Sequence, residues 1–383
     1  MILRKPMWGS EQAADIWALY YYLLYQTVPF EPKDYLPKDN NGYFYYENGE
    51  RTSKRVYPSK PNIVLDCSPY DILHLISADL CRYLVDGTST VNREHLRELL
   101  TTPVDEDTIR TKHFGFTLSS PPSGIRAQER AWKPVLEKLF NYDKLWGNEL
   151  FSRLIQLLGF EICPYCNRSF TTTVQQKDGT YYRQNQVDHY ISKSTHPWFA
   201  LSLLNLIPCC GSCNHKKGTG DDFVLYPYFE EFGVAYRFRT KPLSGLGYLT
   251  GELKSEDSFQ IVIEQTPGTY LDDQYKQRVR NSIQAFGLPA LYRNNHNEYV
   301  RKLFEQRFLI SEAYLDSLCS SFPTYFKSRE EIRHMLYLKS IREDQLDQAP
   351  LSKLTHDIDW EIDDLNECNY LRPMIGTKSE ADF

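Results

Sequence analysis

Four cysteines in two CxxC pairs could hold a metal ion. The first pair is Cys163 and Cys166, and the second is Cys210 and Cys213. Each pair lets two thiolates from one turn reach the same ion, and two pairs complete the tetrahedral site that structural zinc prefers. Cys209 is a rival to Cys210, but only Cys210 keeps two residues between itself and Cys213. A redox pair needs just one CxxC, so the spacing predicts structural zinc.

Four polar residues in the same region have the chemistry for phosphodiester hydrolysis, which needs a base for water and a cation that offsets developing charge. His189 has a side chain of near-neutral pKa and suits the first role, and Asp188 and Asn214 offer the oxygen ligands that a hard cation takes. Because neighbouring strand residues point to opposite sides, the loop after His189 must be held in place. Asn205 is placed to brace that loop through side-chain bonds to backbone.

The elements that would position these residues form a strand, loop, strand, helix unit. Residues 169–190 are rich in Thr, Val and Tyr and contain Asp178-Gly179, a dipeptide that favours a hairpin turn. The pattern places Asp188 and His189 at the end of a strand. A second strand is predicted at 206–208, and a helix can begin near Cys213.

Outside this unit, hydrophobic spacing and Gly or Pro breaks predict mainly helices with a few strands. The helices are predicted at 10–26, 71–84, 92–100, 127–139, 145–158 (ending at Gly159), 272–286, 291–318 and 329–341, and the strands at 235–239 and 259–264.

These residues resemble the HNH endonucleases of the His-Me finger superfamily in their four-cysteine zinc form. The resemblance rests on a CxYC pair, on Asp188-His189, and on Asn205-Leu-x-Pro-x-Cys-x-x-Cys-Asn214-x-x-Lys. It implies an α+β protein, mainly helical, with a central ββα-metal unit stapled by the zinc site. It also implies His189 as general base, Asp188 and Asn214 as ligands of one catalytic Mg²⁺ or Mn²⁺, and Asn205 as the central bracing residue. His215, beside Asn214, is the alternative metal ligand.

A looser likeness extends through Leu225-Tyr-Pro-Tyr and Phe286-Gly-Leu-Pro-Ala-Leu-Tyr292. These segments are similar to HNH nucleases of anti-phage systems, especially the nuclease partner of the ATPase in Septu-type and retron-associated modules. The resemblance implies a DNA substrate cut to leave a 5′-phosphate, and a protein partner such as a defence-system ATPase.

The charge distribution concentrates acid at the C-terminus. The formal net charge is −6, and residues 343–383 alone hold eleven Asp or Glu against three Lys or Arg. The motif region is mildly basic, which suggests weak intrinsic nucleic-acid binding and delivery of the target by a partner. The predicted phosphate contacts are Arg168, Lys193, Lys216 and Lys217.

Within the acidic segment, Ile358, Trp360 and Ile362 alternate with acids between Asp357 and Asp363. This alternation suggests an edge strand with carboxylates on one face, which could hold a partner or mimic DNA over the nuclease groove. The plainer interpretation is a solvated strand or tail.

The chain of 383 residues is long enough for several domains. We expect a helical partner or regulatory region at 1–143, the nuclease core at 144–226, strands and helices at 227–342 and an acidic tail at 343–383. No segment reads as a signal peptide or membrane span, so a cytoplasmic protein is expected. The functional prediction is a DNA endonuclease of a defence system. The alternatives are a non-catalytic zinc module that binds nucleic acid or a partner, and an HNH nuclease acting on RNA or tRNA.

Overall fold

The computed structural model describes residues 16–17, 19–20, 23, 43–47, 50–56, 78–84, 93–105, 140–220, 223–243, 258–293 and 295–367. These residues divide into two compact units. One unit contains residues 161–170 and the described residues from 229 onward, and the other contains 171–228 and the described residues before 161. Helices and small antiparallel sheets make up both, which confirms the α+β class.

The unit that contains residues 171–228 begins with a strand pair and two helices. Strands β1 (Tyr43–Glu47) and β2 (Glu50–Val56) pair antiparallel, and helices α1 (Ala78–Leu84) and α2 (Arg93–Thr101) follow. The helices predicted at 71–84 and 92–100 are confirmed where they are described. So is the helix at 10–26, at its five described residues. The helix predicted at 127–139 lies outside the described residues.

Two short helices stand where one was predicted at 145–158. They are α3 (Tyr142–Trp146) and α4 (Glu149–Leu157). The break has a local cause, because the Asn148 side chain accepts a hydrogen bond from Leu150 N at 2.9 Å and so caps a new helix. Gly159, at φ 71°, takes the left-handed conformation expected just beyond a helix end.

The predicted hairpin is confirmed. Strands β3 (Thr173–Gln175) and β4 (Tyr181–Arg183) pair antiparallel with Thr173 opposite Arg183. Between them Gly179 has a φ of 86°, which a residue without a side chain adopts at no steric cost.

The predicted strand, loop, strand, helix unit follows directly. Strand β5 (Gln186–His189) pairs antiparallel with β6 (Leu206–Cys209), with Asp188 opposite Ile207 and His189 opposite Leu206. Helix α5 (Gly211–Lys217) begins straight after β6 and contacts β5. This is a ββα arrangement, and the regular register shows that the end of β5 is not distorted at His189.

The other unit packs helices against a single two-stranded sheet, β7 (Tyr236–Pro242) with β8 (Phe259–Gln265). Its helices are α6 (Asp273–Phe286), α7 (Leu288–Arg293), α8 (Asn297–Leu309), α9 (Glu312–Ser321), α10 (Arg329–Tyr337) and α11 (Ser352–Glu367). The single helix predicted at 291–318 is thus wrong in extent. One cause is Ser311, whose hydroxyl accepts from Tyr314 N and caps α9.

The prediction of a strand at 357–363 is also wrong, because these residues lie within α11. Leu354, Ile358 and Ile362, spaced four apart, form a buried stripe in the core of this unit. The segment is therefore neither an edge strand nor a solvated tail. Three of its acids are buried as well: Asp357, Asp359 and Glu361.

The buried acids of α11 bind the backbone of the neighbouring strand. Asp357 Oδ2 accepts from Phe238 N at 2.9 Å, and Glu361 Oε2 accepts from Thr240 N at 3.0 Å. Four residues of helix rise about 6 Å and two residues of strand about 6.7 Å, so the two spacings match. Lys353 Nζ, 2.6 Å from Asp357 Oδ1, balances one of these charges.

A membrane-crossing helix is not found in the part of the chain that the structure describes, where no helix is both long and apolar enough.

Candidate functional site

The first cysteine pair sits on a tight turn. Asn167 N donates to Cys163 O at 2.8 Å, and Cys163 N donates to Ser169 O at 2.9 Å. Asn167 closes the turn with a φ of 50°, a left-handed conformation that asparagine tolerates better than most residues. The Tyr292 hydroxyl donates to Cys166 O and holds the far end. The turn thus presents two thiols from one short loop.

The second pair lies at the start of α5, with Cys210 just before the helix and Cys213 in its first turn. The ligand atoms of Cys163, Cys166, Cys210 and Cys213 all lie within 4.8 Å of one another, and all four residues are buried. Thiolates bound tetrahedrally to zinc at 2.3 Å are about 3.8 Å apart, so the cluster fits a zinc site. Cys209 is buried outside this cluster, and Cys210 is the cysteine that lies near the other three.

His189 has one ring nitrogen committed to the backbone. Its Nε2 lies 3.0 Å from Ala200 O, and because a carbonyl only accepts, Nε2 carries the hydrogen. Nδ1 is then the nitrogen that can accept a proton. The ring also meets the Tyr142 ring edge-on, with centroids 4.4 Å apart. The hydrogen bond and the aromatic contact together fix the orientation of the imidazole.

Burial lowers the pKa of His189 to about 3, and the nearby charges of Lys193 and Lys217 lower it further, against an opposing effect of the Ala200 carbonyl. The imidazole is therefore neutral around pH 7. A neutral imidazole is the form that a general base requires.

Asn205 is fully buried and binds the backbone on both sides of the loop that follows His189. Its Oδ1 accepts from Ile191 N at 2.7 Å, and its Nδ2 donates to Ile191 O at 3.1 Å and to Phe199 O at 2.9 Å. Phe199 precedes Ala200, the residue whose carbonyl holds His189. The side chain thus makes the bracing bonds that the sequence led us to expect, and its importance for catalysis stays a prediction.

Asp188 is 2% exposed and is held by a lysine. Lys217 Nζ lies 3.0 Å from Asp188 Oδ1 and 2.9 Å from Oδ2, and it also donates to His189 O and Tyr190 O. Lys217 is itself buried. The expectation that Lys217 contacts phosphate is therefore not met in this arrangement, because its ammonium already has three partners inside the protein.

Asn214 lies one helical turn before Lys217 and faces the same strand. Its Nδ2 donates to Gln186 Oε1 at 2.8 Å, which leaves its amide oxygen available. Since Gln186 and Asp188 share one face of β5, the Asn214 oxygen and the Asp188 carboxylate belong to the same side of the ββα unit. This donor pair suits a hard cation, provided that Lys217 releases or shares Asp188. His215 is exposed on the following position.

The other predicted phosphate contacts differ in accessibility. Lys216 is exposed, and Lys193 is exposed with its ammonium 4.6 Å from the Tyr142 ring centroid and 3.8 Å from Asp143 Oδ1. Arg168 is half-buried and donates from Nε to His296 Nε2 at 2.8 Å. Of the four cations, Lys193 and Lys216 remain the accessible ones.

The aromatic residues around His189 were not predicted from the sequence. Tyr142 and Trp146 lie on α3, and their rings are 6.0 Å apart. Arg183, from the end of β4, stacks on Trp146 with 3.8 Å between its guanidinium carbon and the ring centroid. The contact between Arg183 and Trp146 could not be predicted from the sequence, because the two residues are far apart along the chain and only the fold brings them together.

Comparison with known proteins gives two matches. Residues 163–220 match the family model described as HNH endonuclease. A segment of 104 residues is 28% identical to the Septu protein PtuB of Bacillus thuringiensis and covers 27% of this chain and 37% of that protein. The chain therefore matches little more than a third of the length of this relative. No solved structure matches the chain. With its ββα unit and its cysteine cluster fitting zinc, the region 163–220 has the features of the HNH endonuclease domain that it matches.

Proposed function

We propose that the protein is a metal-dependent endonuclease that hydrolyses phosphodiester bonds of DNA. The observation that carries this proposal is the fixed tautomer of His189, because the bond from Nε2 to Ala200 O leaves Nδ1 ready to take a proton. The position of His189 beside Asp188, inside the region that matches the HNH endonuclease model, also supports the role of base.

In the proposed reaction, His189 Nδ1 accepts a proton from the attacking water. The water oxygen forms a bond to phosphorus as the bond from phosphorus to the 3′ oxygen breaks. The departing oxygen takes a proton from solvent, so the products carry a 5′-phosphate and a 3′-hydroxyl. Asn205 keeps the loop that contains Ala200 in place, and so keeps the imidazole oriented.

Asp188 and Asn214 would hold a Mg²⁺ or Mn²⁺ ion. When bound, such an ion offsets the negative charge that develops on the phosphate and the departing oxygen. The four cysteines would hold zinc in a separate, structural role. We assign phosphate contact to Lys193 and Lys216, which are the exposed residues among the four basic residues predicted to contact phosphate.

We further propose that the protein acts as the effector nuclease of an anti-phage defence system, in the cytoplasm, with a protein partner such as an ATPase of that system. The similarity to a Septu protein supports this assignment. Two alternatives keep the same scaffold with a different target or role: an HNH nuclease of RNA or tRNA, and a non-catalytic zinc module. The ion pair of Asp188 with Lys217 favours the non-catalytic module, because it occupies a required metal ligand.

The decisive experiment is nicking of supercoiled plasmid by the His189→Ala variant in Mg²⁺ and in Mn²⁺. Loss of a general base typically lowers the rate by ~10² to 10⁴, so we expect the nicking rate of the variant to decrease by a factor in this range. Linear DNA, RNA and tRNA, each tested in parallel, identify the substrate class.

His95→Ala is the matched control, since His95 Nδ1 also binds a backbone carbonyl, Tyr83 O, at 2.6 Å. We expect this variant to nick at the parental rate, with circular dichroism showing that both variants are folded. Parental activity in His189→Ala would refute the mechanism, and inactivity of the parent on every substrate, with and without its partner, would favour the binding module.

A further inference from the structure

The guanidinium of Arg183 is held against aromatic rings rather than surrounded by solvent. Its guanidinium stacks on the Trp146 indole, 3.8 Å from the ring centroid, and lies 5.6 Å from the Phe151 ring centroid. Phe151 is fully buried, and Trp146 is half-buried. Stacking fixes the plane of the guanidinium while leaving its edge, where the N–H donors point, free for other partners.

Those donors have no protein acceptor. Within the described residues Arg183 makes no ion pair and no hydrogen bond, and its Nη1 atom is buried without a partner. Arg82 differs in this respect, because its Nη2 lies 2.5 Å from Asp79 Oδ1. Unpaired donors on a partly desolvated cation are uncommon in folded proteins and point to a ligand that the side chain is arranged to meet.

Arg183 is connected to His189 through a series of aromatic contacts. Trp146 and Phe151, its stacking partners, both pack against Tyr142, at 6.0 and 6.2 Å between ring centroids. Tyr142 in turn contacts the His189 imidazole. On the same tyrosine ring lies the ammonium of Lys193. Lys193 thus lies on the tyrosine ring that contacts His189, and Arg183 stacks on a ring that packs against this tyrosine.

We infer that Arg183 binds a backbone phosphate of the nucleic-acid strand next to the phosphodiester that is hydrolysed with His189 as the base. The ligand is an anion because the free groups are all donors on a cation. A phosphodiester offers two acceptor oxygens that match the fork of Nε and Nη2, the donors that are not buried as Nη1 is. This inference rests on the proposed function. It adds a substrate-positioning residue from β4, outside the ββα unit.

The test is equilibrium binding measured by fluorescence anisotropy over a series of salt concentrations. The probes are a labelled DNA duplex and a labelled RNA duplex of the same sequence, and the full-length chain carries His189→Ala and is held in Ca²⁺ so that the probes stay intact. Each phosphate contact contributes about 0.9 to the slope of log affinity against log salt. Arg183→Gln should lower this slope by about 1 and the affinity by about 10-fold for the bound probe.

Two further variants separate charge from shape. Arg183→Lys keeps the charge and loses the stacked fork, so the slope should return to the parental value while the affinity stays several-fold low. Arg82→Gln removes the same charge from an arginine that already has a carboxylate partner, and should change neither quantity. Thermal unfolding of each variant checks that the fold is intact.

An unchanged slope in Arg183→Gln would overturn the inference, as would a parent chain that binds neither probe. Both outcomes are independent of the proposed function, which is decided by the cleavage assays in Mg²⁺ and Mn²⁺. A reduced slope that is matched by Arg82→Gln would also count against the assignment, because it would reflect overall charge.

Discussion

Lys217 contacts four oxygen atoms of three residues inside its unit instead of facing solvent. A buried ammonium requires such partners, and Asp188 and two backbone carbonyls provide them. The ammonium of Lys217 thereby supplies the positive charge that compensates the buried carboxylate of Asp188. A divalent cation at Asp188 would compete with Lys217 for the same oxygens.

This competition predicts the behaviour of Lys217→Met. The variant leaves Asp188 buried without a counter-charge, which typically costs about 3–5 kcal/mol, so we expect a lower melting temperature in the absence of added metal. Mg²⁺ or Mn²⁺ should restore part of the loss, since the cation can take the place of the ammonium.

Differential scanning fluorimetry with and without each cation measures the effect. The parent, in which Lys217 compensates Asp188, should gain less from the cation than the variant does. Equal gains in both proteins would show that Asp188 holds no cation, and would weaken the assignment of this residue as a catalytic metal ligand.

At the scale of elements, the pairing of α11 with β7 explains why a strand was wrongly predicted at 357–363. Alternating acids and apolar residues at 357–363 have the period of a strand, yet the longer stripe of Leu354, Ile358 and Ile362 has the period of a helix. The acids point inward because backbone amides and basic side chains receive them. The amide partners come from a strand over 100 residues away, and no local pattern reveals them.

Glu361 is the acid of α11 from which a pH effect is expected. Burial raises the pKa of its carboxyl to about 7; the Thr240 hydrogen bonds and the Arg239 charge oppose the shift, and Glu264 adds to it. Below pH 4.5, the ordinary value, folded and unfolded chains are both protonated at this site. As the pH rises from there to about 7, only the unfolded chain loses its proton, so the folded state loses stability.

Glu361→Gln should remove this loss. The free energy of unfolding of the variant, relative to the parent, should increase between about pH 5 and about pH 8 and stay level above that. Urea unfolding at a series of pH values gives the measurement, and the exposed Glu330→Gln serves as a control with a parental pH profile. A constant difference between variant and parent across the range would contradict the shifted titration.

For the whole molecule, two metals with different roles are expected. Structural zinc contributes about 10–16 kcal/mol to the folding of small zinc modules, so its loss should unfold the surrounding region, whereas removal of Mg²⁺ should only stop the reaction. We expect the purified chain to contain zinc, and Cys210→Ser to lose it together with the native melting transition.

Cys209→Ser is the matched control, because Cys209 is buried next to Cys210 but outside the cluster. Elemental analysis by mass spectrometry should find parental zinc in this variant. Equal loss in both variants, or a zinc-free parent with a normal melting transition, would contradict the structural role.

The candidate site was more predictable than the rest of the molecule. The CxxC spacing determines which cysteines can meet, and the turn dipeptide with alternating residues determines the strands that carry Asp188 and His189. The contacts that tune the site, such as Lys217 with Asp188 and Tyr142 with His189, depend on how separate elements pack. Spacing along the chain carries no information about them.

The carboxylates of α11 also have a consequence for solubility. By accepting hydrogen bonds from Phe238 N and Thr240 N, they occupy positions at which a further strand could pair with β7. A two-stranded sheet with an open edge is a template for intermolecular β-addition and for the growth of aggregates. Helix α11 thus works as a built-in blocker of self-association, and its acids are as important to colloidal behaviour as to packing.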